Sequence, residues 1–251
     1  VKEQGEEHPK TATCYNNLAG VYQDQGKYKD AEELYKKSLS INEKILGKKH
    51  PEIATYYNNV AVLYTLQGRY REAEELYEKS LRIHEKVQGE EHPNTAASYN
   101  NLAGVYTLQG KYREAEELYE KSLRIKEKVL GEEHPNTAES YNNLAEVYER
   151  QGRYKEAEKL YEKSLSVKEK ILGEEHLDTA TCYNNLAYLY DKQGKYKEAV
   201  IYYLKAYKIC FFKLGWNHPK TDSCYKSLEK IYTKNYPEED FKQFLEEAMR
   251  D

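Results

Sequence analysis

Between Pro93 and Gly110 the apolar side chains fall at Tyr99, Leu102, Ala103 and Tyr106, a three-and-four spacing that gives a helix one face to bury. Pro93 opens that helix, since a residue of the first turn needs no amide hydrogen. Gln109-Gly110 breaks it, and Gly110 suits a left-handed C-terminal position. The pattern resumes at Tyr112, Ala115, Leu118, Tyr119, Ser122, Leu123 and Ile125, and Gly131 ends it. Charged residues fill the gaps. Glu117–Lys121 and Glu120–Arg124 are i,i+4 pairs of a solvated face, each contributing about 0.2–0.5 kcal/mol. The pattern predicts two antiparallel helices, neither able to hide its apolar stripe alone.

The same pattern recurs along the chain. His8, His50, His92, His134, His176 and His218 lie 42 residues apart, and nearly everything between them repeats. A fixed period of this size predicts helix pairs stacked into a solenoid, each contacting only its neighbours. The expected fold is all-α, a right-handed superhelical solenoid of antiparallel helix pairs. Five repeats are expected at 9–50, 51–92, 93–134, 135–176 and 177–218. Residues 1–8 read as the tail of a preceding repeat, because Gly5-Glu6-Glu7-His8-Pro9 parallels Gly89-Glu90-Glu91-His92-Pro93; the chain reads as a piece of a longer array, or as an array whose first helix was lost. Residues 219–251 read as a degenerate sixth repeat acting as a C-terminal cap. There Lys226-Ser227 replaces the usual Asn pair, Glu229 takes a tight Ala position, and Phe241, Phe244, Leu245 and Met249 mark a last amphipathic helix.

Composition narrows the function. A formal net charge of −4 over 251 residues lacks the basic excess of a nucleic-acid protein. With no long apolar run, no membrane partner is expected. Mean hydropathy is −1.00, yet 27 tyrosines supply large faces to bury, each with a polar tip. Cys14, Cys182 and Cys224 share one register, where other repeats carry Tyr56, Ser98 or Ser140. Cys210 stands isolated on another helix. Without a CxxC, the four read as inert thiols of a cytoplasmic chain.

Tyr99, Leu102, Ala103, Tyr106, Gly110, Tyr112, Ala115 and Tyr119 fall where the tetratricopeptide repeat places W/Y, L, G/A, Y, G, Y, A and F/Y, with Ser122 as its last small residue. The chain resembles that family over almost its whole length. The family's closing Pro is absent; Glu127 stands there and the second helix can run on to Leu130. With the added GEEHP loop, this explains a period longer than the usual ~34. The string YNNLAxVYxxQGKYxEAExLYxKSLxIxEKxLGxEHP resembles more closely the long repeats of kinesin light chain, and similar repeats occur in sensor arrays fused to signalling ATPases. The resemblance implies a concave groove lined by the first helices, open to a protein or peptide ligand.

On those helices the arc opposite the buried face carries Asn16, Asn58, Asn100, Asn142 and Asn184, each followed by a second Asn. Asn is a weak helix former, so its recurrence has a tertiary or functional reason. A groove-facing amide can bond a peptide backbone through donor and acceptor; alternatively the pairs form a ladder between repeats. The first Asn of each pair is assigned here to ligand and the second to the ladder. Their neighbours vary, as a recognition surface would: Thr65, then Thr107, then Glu139, Glu146 and Glu149, then Tyr188. Chaperone-binding relatives resemble a lysine–asparagine clamp, and no Lys accompanies the Asn here. Kinesin light chain reads tryptophan-acidic motifs with basic groove residues, where this chain has Thr, Ala or Glu. A neutral or basic extended peptide is the expected ligand.

Phe211, Phe212 and Trp216 occupy registers that are polar or charged elsewhere. They either pack against the cap helix or form a partner patch. The repeated His-Pro lacks the second ligand of a metal site; each imidazole is expected to bond backbone at a helix start. His84 reads as solvated on an outer helix face. No nucleophile elbow, phosphate loop or zinc-protease motif occurs, so neither catalysis nor a cofactor is expected. Two functions remain: a scaffold holding an extended peptide in its groove, or a spacer that self-associates through its repeat ends, within a larger signalling protein.

Overall fold

A computed structural model describes residues 8–250; the reading of residues 1–7 as a helix tail lies outside the described residues. The described residues form twelve α-helices and no strand. First helices of the repeats are α1 (Pro9–Asp24), α3 (Pro51–Leu66), α5 (Pro93–Leu108), α7 (Pro135–Arg150) and α9 (Leu177–Lys192). Second helices are α2 (Tyr28–Leu46), α4 (Tyr70–Gln88), α6 (Tyr112–Leu130), α8 (Tyr154–Leu172) and α10 (Tyr196–Leu214). The chain ends with α11 (Pro219–Asn235) and α12 (Phe241–Ala248). It divides into two compact halves, Val1–Val129 and Leu130–Asp251, each a stack of helix pairs.

Each boundary has a local cause. The Nδ1 of His8, His50, His92, His134, His176 and His218 accepts a bond from the backbone N–H two residues on, at 3.1–3.3 Å. That is an N-cap made by imidazole, satisfying an N–H that the helix itself cannot. An accepting Nδ1 places the ring hydrogen on Nε2. At the other end, Gly110 takes φ 76°; its N–H reaches the Thr107 carbonyl at 3.1 Å and the Lys111 N–H reaches the Tyr106 carbonyl at 2.8 Å. This is a Schellman closure, which satisfies two orphan carbonyls and reverses the chain into α6.

Within a pair, small residues permit close approach. Ser38 donates to the Ala12 carbonyl at 2.7 Å, Ser122 to Ala96 and Ser164 to Ala138 at 2.8 Å, all buried. Between pairs, the turn residue does three things at once. Arg69 closes the α3 terminus, lies with its guanidinium 3.8 Å from the Tyr64 ring centre, and bonds Glu32 of the preceding repeat at 2.7 Å. Burial pushes the Glu32 carboxyl upward, but hydrogen bonds from Lys36, Arg69 and Tyr64 outweigh it and bring its pKa down to about 2. Lys111 with Glu74, and Lys195 with Glu158, repeat the contact at 3.0 and 3.1 Å.

Two sequence expectations are corrected. His84 is buried, with Nδ1 2.8 Å from Ser98 Oγ of the next first helix. It lies on the flank of α4 that meets α5, so the neighbouring repeat covers it. Nor is Cys210 isolated: its Sγ lies 3.8 Å from that of Cys224, and both are buried where α10 meets α11. In α6 the buried set is Ala115, Tyr119, Ser122 and Ile125, with Tyr112, Leu118 and Leu123 only half-buried. Among the described residues no helix is long and apolar enough to cross a membrane.

Candidate protein-binding face

The first helices are held in register by the Asn pairs. In the N-terminal half, Asn59 Nδ2 donates to Asn16 Oδ1 at 2.9 Å, and Asn101 Nδ2 donates to Asn58 Oδ1 at 2.6 Å. In the C-terminal half, Asn185 donates to Asn142 at 2.7 Å. The ladder therefore uses both members, the second Asn of one repeat giving a hydrogen to the first Asn of the repeat before. The first Asn is not set aside for ligand, but it is only half engaged. Its oxygen accepts, while the amide hydrogens of Asn16, Asn58 and Asn142 have no partner among the described residues. Asn184 faces Ser227 in the next register, and its amide has no hydrogen-bond partner among the described residues. All five first-position asparagines are half-exposed.

The surrounding arc is open. Thr65 and Thr107, both half-buried, turn their hydroxyls back to the carbonyls of Ala61 and Ala103 at 2.8 and 2.9 Å. Leu66 and Leu108 beside them are exposed. In the C-terminal half Glu139 is exposed, Glu146 bonds Arg150 at 3.2 Å, and Tyr188 is exposed with Lys192 5.0 Å from its ring centre. Glu149 differs from them. Burial pushes its carboxyl up from the ordinary value, against a hydrogen bond from Tyr161 at 3.2 Å.

Tyr161 belongs to a set that sequence reasoning did not assign to the face. One tyrosine of every second helix, at Tyr35, Tyr77, Tyr119, Tyr161 and Tyr203, is buried along its ring. The hydroxyls of Tyr35, Tyr119 and Tyr161 reach the first helix of their own repeat. Tyr35 reaches Gln23 at 3.5 Å, and a Cβ added at Gly20 or Gly104 would stand 3.7 or 3.5 Å from the hydroxyls of Tyr35 and Tyr119. The readable signal was the residue opposite: Gly20, Val62, Gly104, Glu146 and Tyr188 share one register and set how far each hydroxyl is covered.

The repeat model for the tetratricopeptide repeat matches residues 1–44, 10–86, 52–128, 105–170 and 136–210. The chain belongs to the tetratricopeptide repeat family. Proteins of this family are generally non-enzymatic scaffolds for protein interaction. The repeats are of the kinesin-light-chain kind. BtubC (BKLC) from P. vanneervenii is 28% identical, with a TM-score of 0.69 and 80% of each chain covered. A putative kinesin light chain from Podosopora anserina with nearly identical TPR-like repeats is 29% identical, with a TM-score of 0.67, covering 91% of this chain and 98% of that one. The apo form of RapI is 19% identical with a TM-score of 0.67, over 90% of this chain and 84% of its own, and shows the tetratricopeptide fold alone. Among curated proteins none matches the sequence.

Proposed function

We propose that the chain holds an extended, neutral or basic peptide segment of a partner protein along the first-helix face. The observation carrying this reading is the half-engaged amide. The ladder fixes the rotamers of Asn16, Asn58 and Asn142 through their oxygens, so their free N–H groups are aimed before a ligand arrives. Pre-set donors spend little conformational entropy when they meet a peptide carbonyl. The neighbours then select the ligand: Thr65, Thr107 and exposed leucines suit an apolar stretch, whereas Glu139, Glu146 and Glu149 suit a cationic one.

Asn58→Asp and Asn142→Asp test the reading. Aspartate keeps the oxygen that accepts from Asn101 or Asn185 and removes the outward hydrogens. A displayed-peptide selection enriching a motif on the parent but not on the double variant, at unchanged melting temperature, supports a peptide reader. The same motif enriched on both sinks it.

End-to-end association is a second reading, suggested by the near-identity of the repeats, whose successive faces are complementary to one another. Light scattering that reports a monomer at high concentration removes that reading.

A further inference from the structure

The loops that join repeats share a polar scheme. A tyrosine of the incoming first helix gives its hydroxyl to a glutamate near the end of the outgoing second helix: Tyr57 to Glu43 at 2.6 Å, Tyr99 to Glu85 at 2.7 Å and Tyr183 to Glu169 at 2.6 Å. The loop carboxylates then take lysines from the second helix of the repeat that follows. Lys128 pairs with Glu91, Lys163 with Glu132 at 2.8 Å and Lys170 with Glu133 at 2.6 Å. In the fifth repeat Phe212 stands in the register of Lys170, and Lys213 reaches Glu175 at 3.6 Å. The last junction drops the scheme. Phe211 replaces the glutamate there, and Tyr225 turns its hydroxyl to Glu229 at 3.2 Å and packs against Phe241 of α12 at 5.6 Å. Phe211 is half-buried, 5.8 Å from the Tyr207 ring centre, whereas Phe212 and Trp216 are 67% and 55% exposed.

The first junction keeps the scheme but inverts its charge. Its loop reads Gly47-Lys48-Lys49-His50, where the next three read Gly-Glu-Glu-His. Lys48 holds the register of Glu132, whose partner is Lys163, so its counterpart on α4 is Lys79; Lys49 holds the register of Glu133, so its counterpart is Lys86. All four lysines are exposed, and none has an ion pair among the described residues. Carboxylates nearby do not fill the gap. Glu43 is taken by Tyr57, Glu78 pairs with Arg82 at 2.7 Å, and Glu52 and Glu75 make no ion pair with the four lysines.

In the third repeat the same registers, Glu90, Glu91, Tyr99, Lys121, Arg124 and Lys128, border one hollow of about 230 Å³. The first junction therefore sets Lys79, Arg82 and Lys86 about a place where two further cations replace two carboxylates. Like charges brought together in this way are unfavourable until an anion arrives.

We propose that this junction binds a phosphate monoester, carried by a phosphorylated serine or threonine of a partner protein. The sister junctions show one carboxylate taking one lysine. Four lysines without a carboxylate call for one small group with more than one charge. A phosphate monoester carries about −1.5 to −2 at pH 7 and has three acceptor oxygens, enough to join the loop lysines to those of α4. An extended polyanion fits less well. The loops before and after carry Glu6-Glu7 and Glu90-Glu91, so a nucleic-acid backbone or an anionic membrane that reached past this one junction would meet carboxylates. The site uses none of the ladder asparagines and stands apart from the peptide reading of the first-helix face.

The probe is a capped glycine pentapeptide with a central phosphoserine, titrated into the full chain by calorimetry at low salt. Saturable binding at one site is expected, weakening as salt is added. Lys48→Glu with Lys49→Glu gives this loop the residues of the next three. It should keep or raise the melting temperature, because Lys79 and Lys86 gain partners, and should weaken binding about tenfold or more. Glu90→Lys with Glu91→Lys should do the reverse and bring a second phosphopeptide to each chain. Asn58→Asp with Asn142→Asp should leave the titration unchanged; a loss there would place the peptide on the first-helix face instead and overturn the assignment. No saturation up to millimolar peptide overturns it too, as does undiminished binding by the Lys48 and Lys49 variant or a stoichiometry of one in the Glu90 and Glu91 variant. Equal binding of a peptide with two adjacent aspartates would replace the phosphate by carboxylates. Tighter binding of single-stranded RNA or phosphatidylserine vesicles, lost in the Lys48 and Lys49 variant, would replace the protein partner.

Discussion

His84 shows how one register changes chemistry from repeat to repeat. Its position on the second helix is occupied in turn by Asn42, His84, Lys126, Lys168 and Cys210, and the facing first-helix register by Tyr56, Ser98, Ser140, Cys182 and Cys224. Buried beside Ser98, the imidazole has its pKa lowered by desolvation first and by the nearby charge of His92 second. A base whose folded pKa lies below its unfolded value holds fewer protons when folded, so unfolding takes up protons in that window. Its stabilising contribution is complete above the unperturbed value of 6.5 and is lost as the pH falls through the depressed folded value. In His84→Asn, the residue of the first repeat, the melting temperature should fall less between pH 7.5 and 5.5 than it does in the parent. The cap imidazoles are common to both proteins, so the difference between the curves belongs to His84. Parallel curves would refute the assignment. Ser98→Ala should cost about 1 kcal/mol at pH 7.5, the net worth of one hydrogen bond.

At the scale of the element, each helix states its own beginning and end, and this is why the architecture was readable. His134 precedes Pro135, and Gln151-Gly152 follows Arg150; neither signal depends on the rest of the fold. His134→Ala should therefore cost about 1 kcal/mol, and His134→Asn should recover most of it, because an Asn oxygen accepts the same N–H. A denaturant series on the pair checks this, and an equal loss in both would show that the imidazole acts by packing instead. What the sequence concealed are contacts between elements of different repeats. Arg82, Glu85 and Lys86 stand close to His84 in sequence and suggested a solvated position, although at helical spacing it adjoins Ser80, Leu81 and Val87; the approach of α5 completes its burial. The tyrosine hydroxyls under the binding face escaped notice for a different reason: Tyr161 is a core residue of α8 by its ring, and only the packing within its own helix pair brings its tip to Glu149 of α7. The Asn pairs were legible as an anomaly of propensity. Their shared use in the ladder was not, because it needs the offset of 43 residues between Asn58 and Asn101 realised in space.

For the whole molecule, stability in a stack of this kind is a sum of local pairs and nearest-neighbour interfaces, so the terminal interface governs fraying. The junction of α10 with α11 is where the repeated Tyr–Glu bond has been lost, and it is also where Cys210 and Cys224 meet. The Cys224 thiol donates to Cys210, which favours the thiolate there, while that bond and burial push Cys224 up. In a Cys14→Ser background, which removes the exposed thiol, a small-molecule disulfide should cross-link the pair. Cys210 attacks one sulfur of the reagent, Cys224 displaces the resulting mixed disulfide, and two reagent thiols are released as one protein disulfide forms. Closing a loop of this length disfavours the unfolded terminal segment by about 3 kcal/mol. Proteolysis of α11 and α12 should slow accordingly, reductant should restore the parent rate, and Cys210→Ser should show neither effect. A cross-link that forms without protecting α11 and α12 would mean that their opening does not pass through separation from α10, and the nearest-neighbour account of this end would have to be given up.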